Sequence, residues 1–331
     1  VIARKIENEA GTLILEAENL RKTFQLRRKY FARGSQALHA VDGVTLHLRA
    51  GETFGLVGES GCGKSTLGRA LLFLDPPSEG RVRFRGRNLR RLSRGELRKL
   101  RRNMQMIFQD PYSSLNPRKT AGWLIGEPLL IHGVGSRAEI RERVEFLMKE
   151  VGLQPEHMSR FPHEFSGGQR QRIGIARSLA LNPDFIVADE PISSLDVSIQ
   201  AQILELLKTL QVKYHLTYLI ISHDLSVIHH VSDRIGVMYL GELVDLAPGG
   251  SFLKPPYHPY TEALLAAAPR IDPARRRRIR SPLRGDVPSP LSPPPGCRFH
   301  TRCPYAESVC RRERPPLEDK GENHFMACHF R

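Results

Sequence analysis

GESGCGKST, residues 58–66, is the stretch whose reading decides the fold. It fits G-x-x-x-x-G-K-[ST], and its setting matters as much as its letters. The short apolar run TFGLVG (53–58) leads into it, and a helix-like stretch starts at Lys64. Strand, glycine-rich turn and helix in that order aim backbone N–H groups and the positive end of a helix at one point, which suits a polyphosphate. Gly58, Gly61 and Gly63 let the backbone close on phosphate oxygens, Lys64 is expected to reach the β- and γ-phosphates, and Ser65 to offer its hydroxyl to Mg²⁺. With Ser60 and Thr66 these are the expected loop contacts of ATP. A chance glycine-rich turn would not carry these flanks.

FIVADEP (185–191) sets two carboxylates at the C-terminal end of an apolar strand, the place where open α/β sheets put their ligands. Asp189 is expected to hold the metal, directly or through water. Glu190 is expected to orient or deprotonate an attacking water. FSGGQRQR (165–172) opens a helix, and Ser166 with Gln169 has the S-x-x-Q spacing of a capping box. Gly167 and Gly168 leave the first helical N–H groups open to a ligand. One nucleotide does not need two such anion sites in one subunit, so the second is expected to serve a nucleotide held by another subunit.

SGGQ, about 20 residues before ADEP, resembles the signature of ATP-binding cassette (ABC) ATPases, and the whole motif set is similar to that family in order. The resemblance implies further roles. Gln109 in FQDP would be the Q-loop glutamine, touching Mg²⁺ and water and sensing a membrane partner. Asp196 in SSLD (193–196) would cross a dimer interface, and His223 in ISHDL would meet the γ-phosphate. Phe24 in KTF would stack on adenine, with Tyr30 and Phe31 as rivals. Phe165 departs from the leucine usual before SGGQ. The implied catalytic residues are Glu190, His223 and Gln109. The implied Mg²⁺ ligands are Ser65, Gln109 and Asp189. Ser166, Gly167, Gly168 and Gln169 would grip the partner's nucleotide.

FQDPYSSLNPR (108–118), HPYTEALLAAAP (258–269) and GCRFHTRCPYA (296–306) resemble the ATPases of oligopeptide, dipeptide or nickel importers, and YSSLNPR resembles the second of their two ATPase subunits. The partners this implies are a second ATPase subunit (a copy or a paralogue), two transmembrane permease subunits and, indirectly, an extracytoplasmic peptide-binding protein. The expected place is the cytoplasmic face of the membrane. The other readings are the same role for nickel or another small solute, an exporter ATPase, or a soluble ABC ATPase acting on nucleic acid or ribosomes. A single motif set and a helical insert of only about 55 residues favour the transporter over the soluble relatives, and the tail argues against an exporter. No specific nucleic-acid partner is expected.

Composition agrees with this. The net charge of +15 favours anionic partners, and no apolar run nears the roughly 20 residues that span a bilayer. The first residues lack the shape of a signal peptide, so the chain is expected to stay in the cytosol. The expected fold class is α/β. It is a P-loop cassette core with an antiparallel β subdomain (strands at 12–20 and 44–50), a helical subdomain at about 112–180 and a parallel sheet from the apolar runs at 53–58, 104–108, 184–190, 217–223 and 234–240. The cassette is expected to span 1–265. The C-terminal extension, 266–331, begins with a Pro/Arg-rich linker that carries ARRRRIRSPLR (274–284), read as a solvated tether.

Cys297, Cys303, Cys310 and Cys328 lie in the last 35 residues of a chain with five cysteines. A reducing cytosol disfavours disulfides, and so small a module gains most from a metal. Four thiolates suit [4Fe–4S] or Zn²⁺. The importer group's tail resembles this pattern and in some members holds an iron–sulfur cluster, so [4Fe–4S] is favoured, with Zn²⁺ as the alternative. His300, His324 and His329 keep a mixed Cys/His zinc site open.

Overall fold

Period-two alternation and unbroken apolar runs dictate two kinds of sheet, and both are present in the computed structural model. The structure describes residues 12–26, 36–193, 195–252, 254–255, 257–267 and 285–331. Tyr30, Phe31 and the arginine run at 274–284 lie outside the described residues. The twelve strands in chain order are β1 Leu13–Leu26, β2 Gln36–Arg49, β3 Thr53–Val57, β4 Glu79–Phe84, β5 Arg87–Asn88, β6 Met104–Ile107, β7 Phe185–Asp189, β8 Thr217–Ser222, β9 Arg234–Tyr239, β10 Glu242–Pro248, β11 Glu318–Asp319 and β12 Phe325–Met326. The chain divides into two compact units.

The first unit takes residues 1–48, 53–90 and 222–331. It holds an antiparallel sheet in the order β2-β1-β4-β5 and the strand run β11-β12-β10-β9-β3, in which β3 and β9 are parallel. β3 is buried at every residue, as a strand covered on both faces must be. β4 alternates, with Val82 and Phe84 buried between arginines. Its arginines serve the solvent face, where Arg83 pairs with Glu16 and Glu18 of β1, so no apolar run announces it. β1 and β2 are also longer than expected. β10 was not foreseen. Its six consecutive buried residues carry Glu242 and Asp245, which break the apolar signal.

The second unit takes residues 49–52 and 91–221. Its strands β6, β7 and β8 are parallel neighbours in that order. Helices fill the insert as expected: Ala121–His132, Arg137–Glu150 and Gly167–Leu179. On Gly167–Leu179 the side chains of Ile173, Ala176, Leu179 and, just beyond it, Ala180 are buried. On Val197–Tyr214 the buried residues are Ile203, Leu207 and Leu210. The expected α/β class, parallel strands with an antiparallel part and a helical part, is borne out. Among the described residues no helix is long and apolar enough to cross a membrane.

Candidate functional site

In the first unit β3 delivers the chain into the loop and the helix Lys64–Leu71 leaves it. The turn is tight enough to require glycine. A Cβ on Gly58 would sit 2.2 Å from the Met238 carbonyl oxygen. Gly63 has φ +105, and a Cβ there would lie 2.0 Å from the Ala40 oxygen. The helix start carries no side-chain cap, so no side chain of the loop takes its leading N–H groups. Lys64 is 4 % exposed, and its ammonium donates to the Gly58 carbonyl (2.7 Å) and the Glu59 carbonyl (3.0 Å). Cys62 is buried beneath it, and that burial raises the thiol pKa, with Lys64 opposing. Ser60 and Gly61 are exposed, and Ser65 and Thr66 half-buried. His223 is exposed on the turn that follows β8. Phe24 is half-buried on β1 with the Lys22 ammonium 5.1 Å from its ring centre.

The second unit carries the acidic pair. Four buried residues of β7 lead to Asp189, itself 2 % exposed. Glu190 follows with φ +44, a left-handed conformation rare for a residue with a side chain, and its N–H donates to the Ile221 carbonyl at 3.0 Å. Gln109 is exposed just past β6, and its Nε2 donates to the Glu190 carboxylate at 2.8 Å. So two residues 81 apart, each singled out in the sequence, meet. Ser166 accepts from the Gln169 N–H while the Gln169 side chain accepts from the Ser166 N–H, so the capping box is formed. Ser166 and Gly167 are exposed. Gly168 lies where a Cβ would come within 2.6 Å of the Ile199 side chain. Asp196, exposed, is the N-cap residue of Val197–Tyr214 but makes no capping bond.

Mg²⁺ is a hard cation that takes oxygen ligands. The half-buried Ser65 hydroxyl and the buried Asp189 carboxylate fit that chemistry within their own units.

The four tail cysteines line one small cavity of ≈ 30 Å³, room for about one water. Burial pushes the Cys297 thiol up to about 11 and raises Cys303, so both are neutral thiols at neutral pH. The expected [4Fe–4S] cluster and its Zn²⁺ alternative find no support here: among the described residues no group of three His, Cys, Asp or Glu is arranged to hold a metal ion. Each nearby histidine has a partner of its own on one ring nitrogen. His300 Nδ1 contacts the Cys297 carbonyl, His324 Nε2 the Asp245 carboxylate at 2.6 Å, and His329 Nε2 the Glu313 carbonyl. Proximity in sequence thus gathered the thiols without giving them ligand geometry.

Sequence reasoning missed the side chains that hold the loop from behind. Tyr260 and Arg302 both contact Glu59. Each lies in a stretch already singled out, HPYTEAL and GCRFHTRC, but nothing local to either names its distant partner.

The profile of the ABC transporter family matches residues 41–193, and that of the oligopeptide/dipeptide transporter C-terminal region matches residues 244–310. The oligopeptide transport ATP-binding protein AppF of Bacillus subtilis is 51 % identical over 321 residues, 96 % of this chain and 97 % of that protein. The di/tripeptide transport ATP-binding protein DppF of Pseudomonas aeruginosa is 48 % identical over 317 residues, 96 % of this chain and 97 % of that protein. Among solved structures, the post-hydrolysis dimer of the ATP-binding cassette MJ0796 bound to ADP and Pi matches with TM-score 0.63 and 32 % identity, over 71 % of this chain and 98 % of that one.

Proposed function

This chain belongs to the ABC transporter family, and from that premise we propose that it is the ATP-hydrolysing subunit of a di- or oligopeptide importer. The observation that carries the reading is the pairing, in one chain, of the cassette match at 41–193 with the oligopeptide/dipeptide C-terminal match at 244–310. The cassette is assigned to residues 1–265, with a helical subdomain at about 112–180, and the extension to 266–331.

The loop from Gly58 to Thr66 binds the ATP phosphates. Lys64 leaves its two carbonyl acceptors for the β- and γ-oxygens, an exchange of neutral acceptors for charged ones that strengthens each bond. Ser65, Gln109 and Asp189 would be the ligands of Mg²⁺, which would supply neutralisation of charge on the phosphates. Gln109 fixes the Glu190 carboxylate. Glu190 polarises the attacking water, and His223 steadies the γ-phosphate. Phe24 stacks on adenine. Ser166, Gly167, Gly168, Gln169 and Asp196 engage a nucleotide held by a second ATPase subunit. A ligand that joins two like surfaces favours their closed pair by linkage, and loss of the γ-phosphate releases it. Two permease subunits in the membrane receive that motion, with a peptide-binding protein beyond them, and the chain works at the cytoplasmic face.

The test is reconstitution with its permease subunits in vesicles. Peptide-stimulated ATP hydrolysis with peptide uptake is the expected result. Stimulation by Ni²⁺ alone, or co-purification with RNA in place of membrane subunits, would overturn the peptide assignment.

The cluster stays a proposal from the sequence: the four cysteines share one cavity, but among the described residues no ligand group is formed. Anaerobic protein with about four irons and four sulfides per chain would establish it; protein free of iron would remove it.

A further inference from the structure

Glu59 is an unspecified position of the loop motif, yet all three of its polar groups are tied down. Its carbonyl accepts from Lys64 at 3.0 Å, and its N–H donates to the Tyr260 hydroxyl at 2.8 Å. Its carboxylate takes both terminal nitrogens of Arg302, at 2.7 and 3.0 Å. This pair is unlike a surface ion pair. The Arg302 side chain is 5 % exposed and the geometry is bidentate, which adds direction to charge.

Arg302 is itself held firmly. Its N–H donates to the Phe299 carbonyl, and Phe299 is fully enclosed, packing against Tyr239 (ring centres 5.3 Å) and Tyr260 (5.4 Å). At the other end of the same segment Arg298, 8 % exposed, bonds the Leu240 carbonyl, Asp42 and Glu242. Cys297 and Cys303, the neighbours of these two arginines, both line the thiol cavity. The segment 297–303 is therefore riveted at both ends, and one rivet is the phosphate loop itself.

We propose that the C-terminal extension braces the phosphate loop, with Arg302 as a positioning residue that sets ATP affinity through Glu59. The proposal rests on the reading that the Lys64 loop binds ATP. With the Arg302–Glu59 pair broken from either side, the loop loses the fastening that fixes Glu59 beside the Lys64 ammonium. The loop then has to be ordered by the nucleotide, and affinity falls while the groups that act on the γ-phosphate are untouched.

The experiment is a Mg-ATP titration and a steady-state assay of the full chain as wild type, R302A, R302K, E59Q, the R302A/E59Q double variant and K64A. R302A is expected to weaken ATP binding about tenfold, close to 1.4 kcal/mol, with turnover at saturating ATP within about twofold of wild type. R302K should recover part of the loss, since one ammonium cannot reproduce two parallel bonds. The double variant should bind no worse than R302A, because both changes cut the same contact. R302A with wild-type affinity, or losses that multiply in the double variant, would overturn the brace. If R302A does not fold, E59Q decides alone, since it keeps the shape of Glu59, and wild-type affinity there overturns the proposal. Wild type that binds ATP no better than K64A would overturn the phosphate-loop reading itself, and the brace with it.

Discussion

The phosphate loop and the acidic strand end, given separate parts in the proposed reaction, are built in opposite ways. The loop is backbone-defined and locked: Gly58 and Gly63 admit no side chain, Lys64 is buried, and Glu59 is tied at three points. The strand end is side-chain-defined. Gln109 is exposed, Glu190 is half-buried, and the bond between them can exchange with water or substrate. A binding site profits from rigidity, because order is then not bought from the ligand. A site that must act once per cycle profits from groups that can let go.

Changes at the two places should therefore separate. Glu190→Gln removes the charge that polarises water but keeps an oxygen for the Gln109 bond. Hydrolysis should fall about 1000-fold, near 4 kcal/mol, with ATP binding intact; a phosphate-release assay beside a titration shows both, and near wild-type turnover would remove Glu190 from the mechanism.

A second contrast concerns pH. Burial lowers His258 to about 4 from an ordinary 6.5, with the neighbouring Asp245 opposing. The folded state thus keeps this ring neutral while the unfolded state protonates it near pH 6.5. Stability from this group is present above that pH and is lost as pH falls toward 4, by about 3 kcal/mol. Melting curves between pH 7 and 4 should show a steeper fall for wild type than for His258→Asn. Equal slopes would mean His258 does not control this step.

The smallest effect tests rigidity within the loop. Gly61 has φ +80 with nothing within 4 Å of an added Cβ, whereas Gly63 meets the Ala40 oxygen. Gly61→Ala should cost only backbone strain, about 1 kcal/mol. Gly63→Ala should cost about 2 kcal/mol more, because a backbone carbonyl must move. Thermal melts of the pair measure the gap, and equal losses would show that the loop is less tightly seated than its geometry implies.

What could be read from the chain was contiguous. The loop, the acidic strand end and the Ser166–Gln169 box each fit in nine residues or fewer, and their chemistry follows from spacing. β4 was hidden because its arginines answer to solvent and its apolar residues number only two. β10 was hidden because Asp245, at 0 % exposure, is satisfied by the His258 N–H and the Thr261 hydroxyl, partners that no local pattern announces. The Arg302–Glu59 contact was illegible for the same reason, since any of the chain's many arginines could have been the partner. The cysteines show the limit of clustering in sequence, which brings four thiols to one cavity but, among the described residues, sets no metal-ligand geometry.

That contact spans 243 residues, and the span has a meaning in time. A ribosome adding about 5–20 residues per second releases the loop early and Arg302 roughly 12–50 seconds later. Until then the nascent chain carries the nucleotide motif without its fastening. Full affinity for ATP would then arrive only once Arg302 has emerged, so a chain cut short of it, although it holds every motif of the cassette, would bind ATP more weakly.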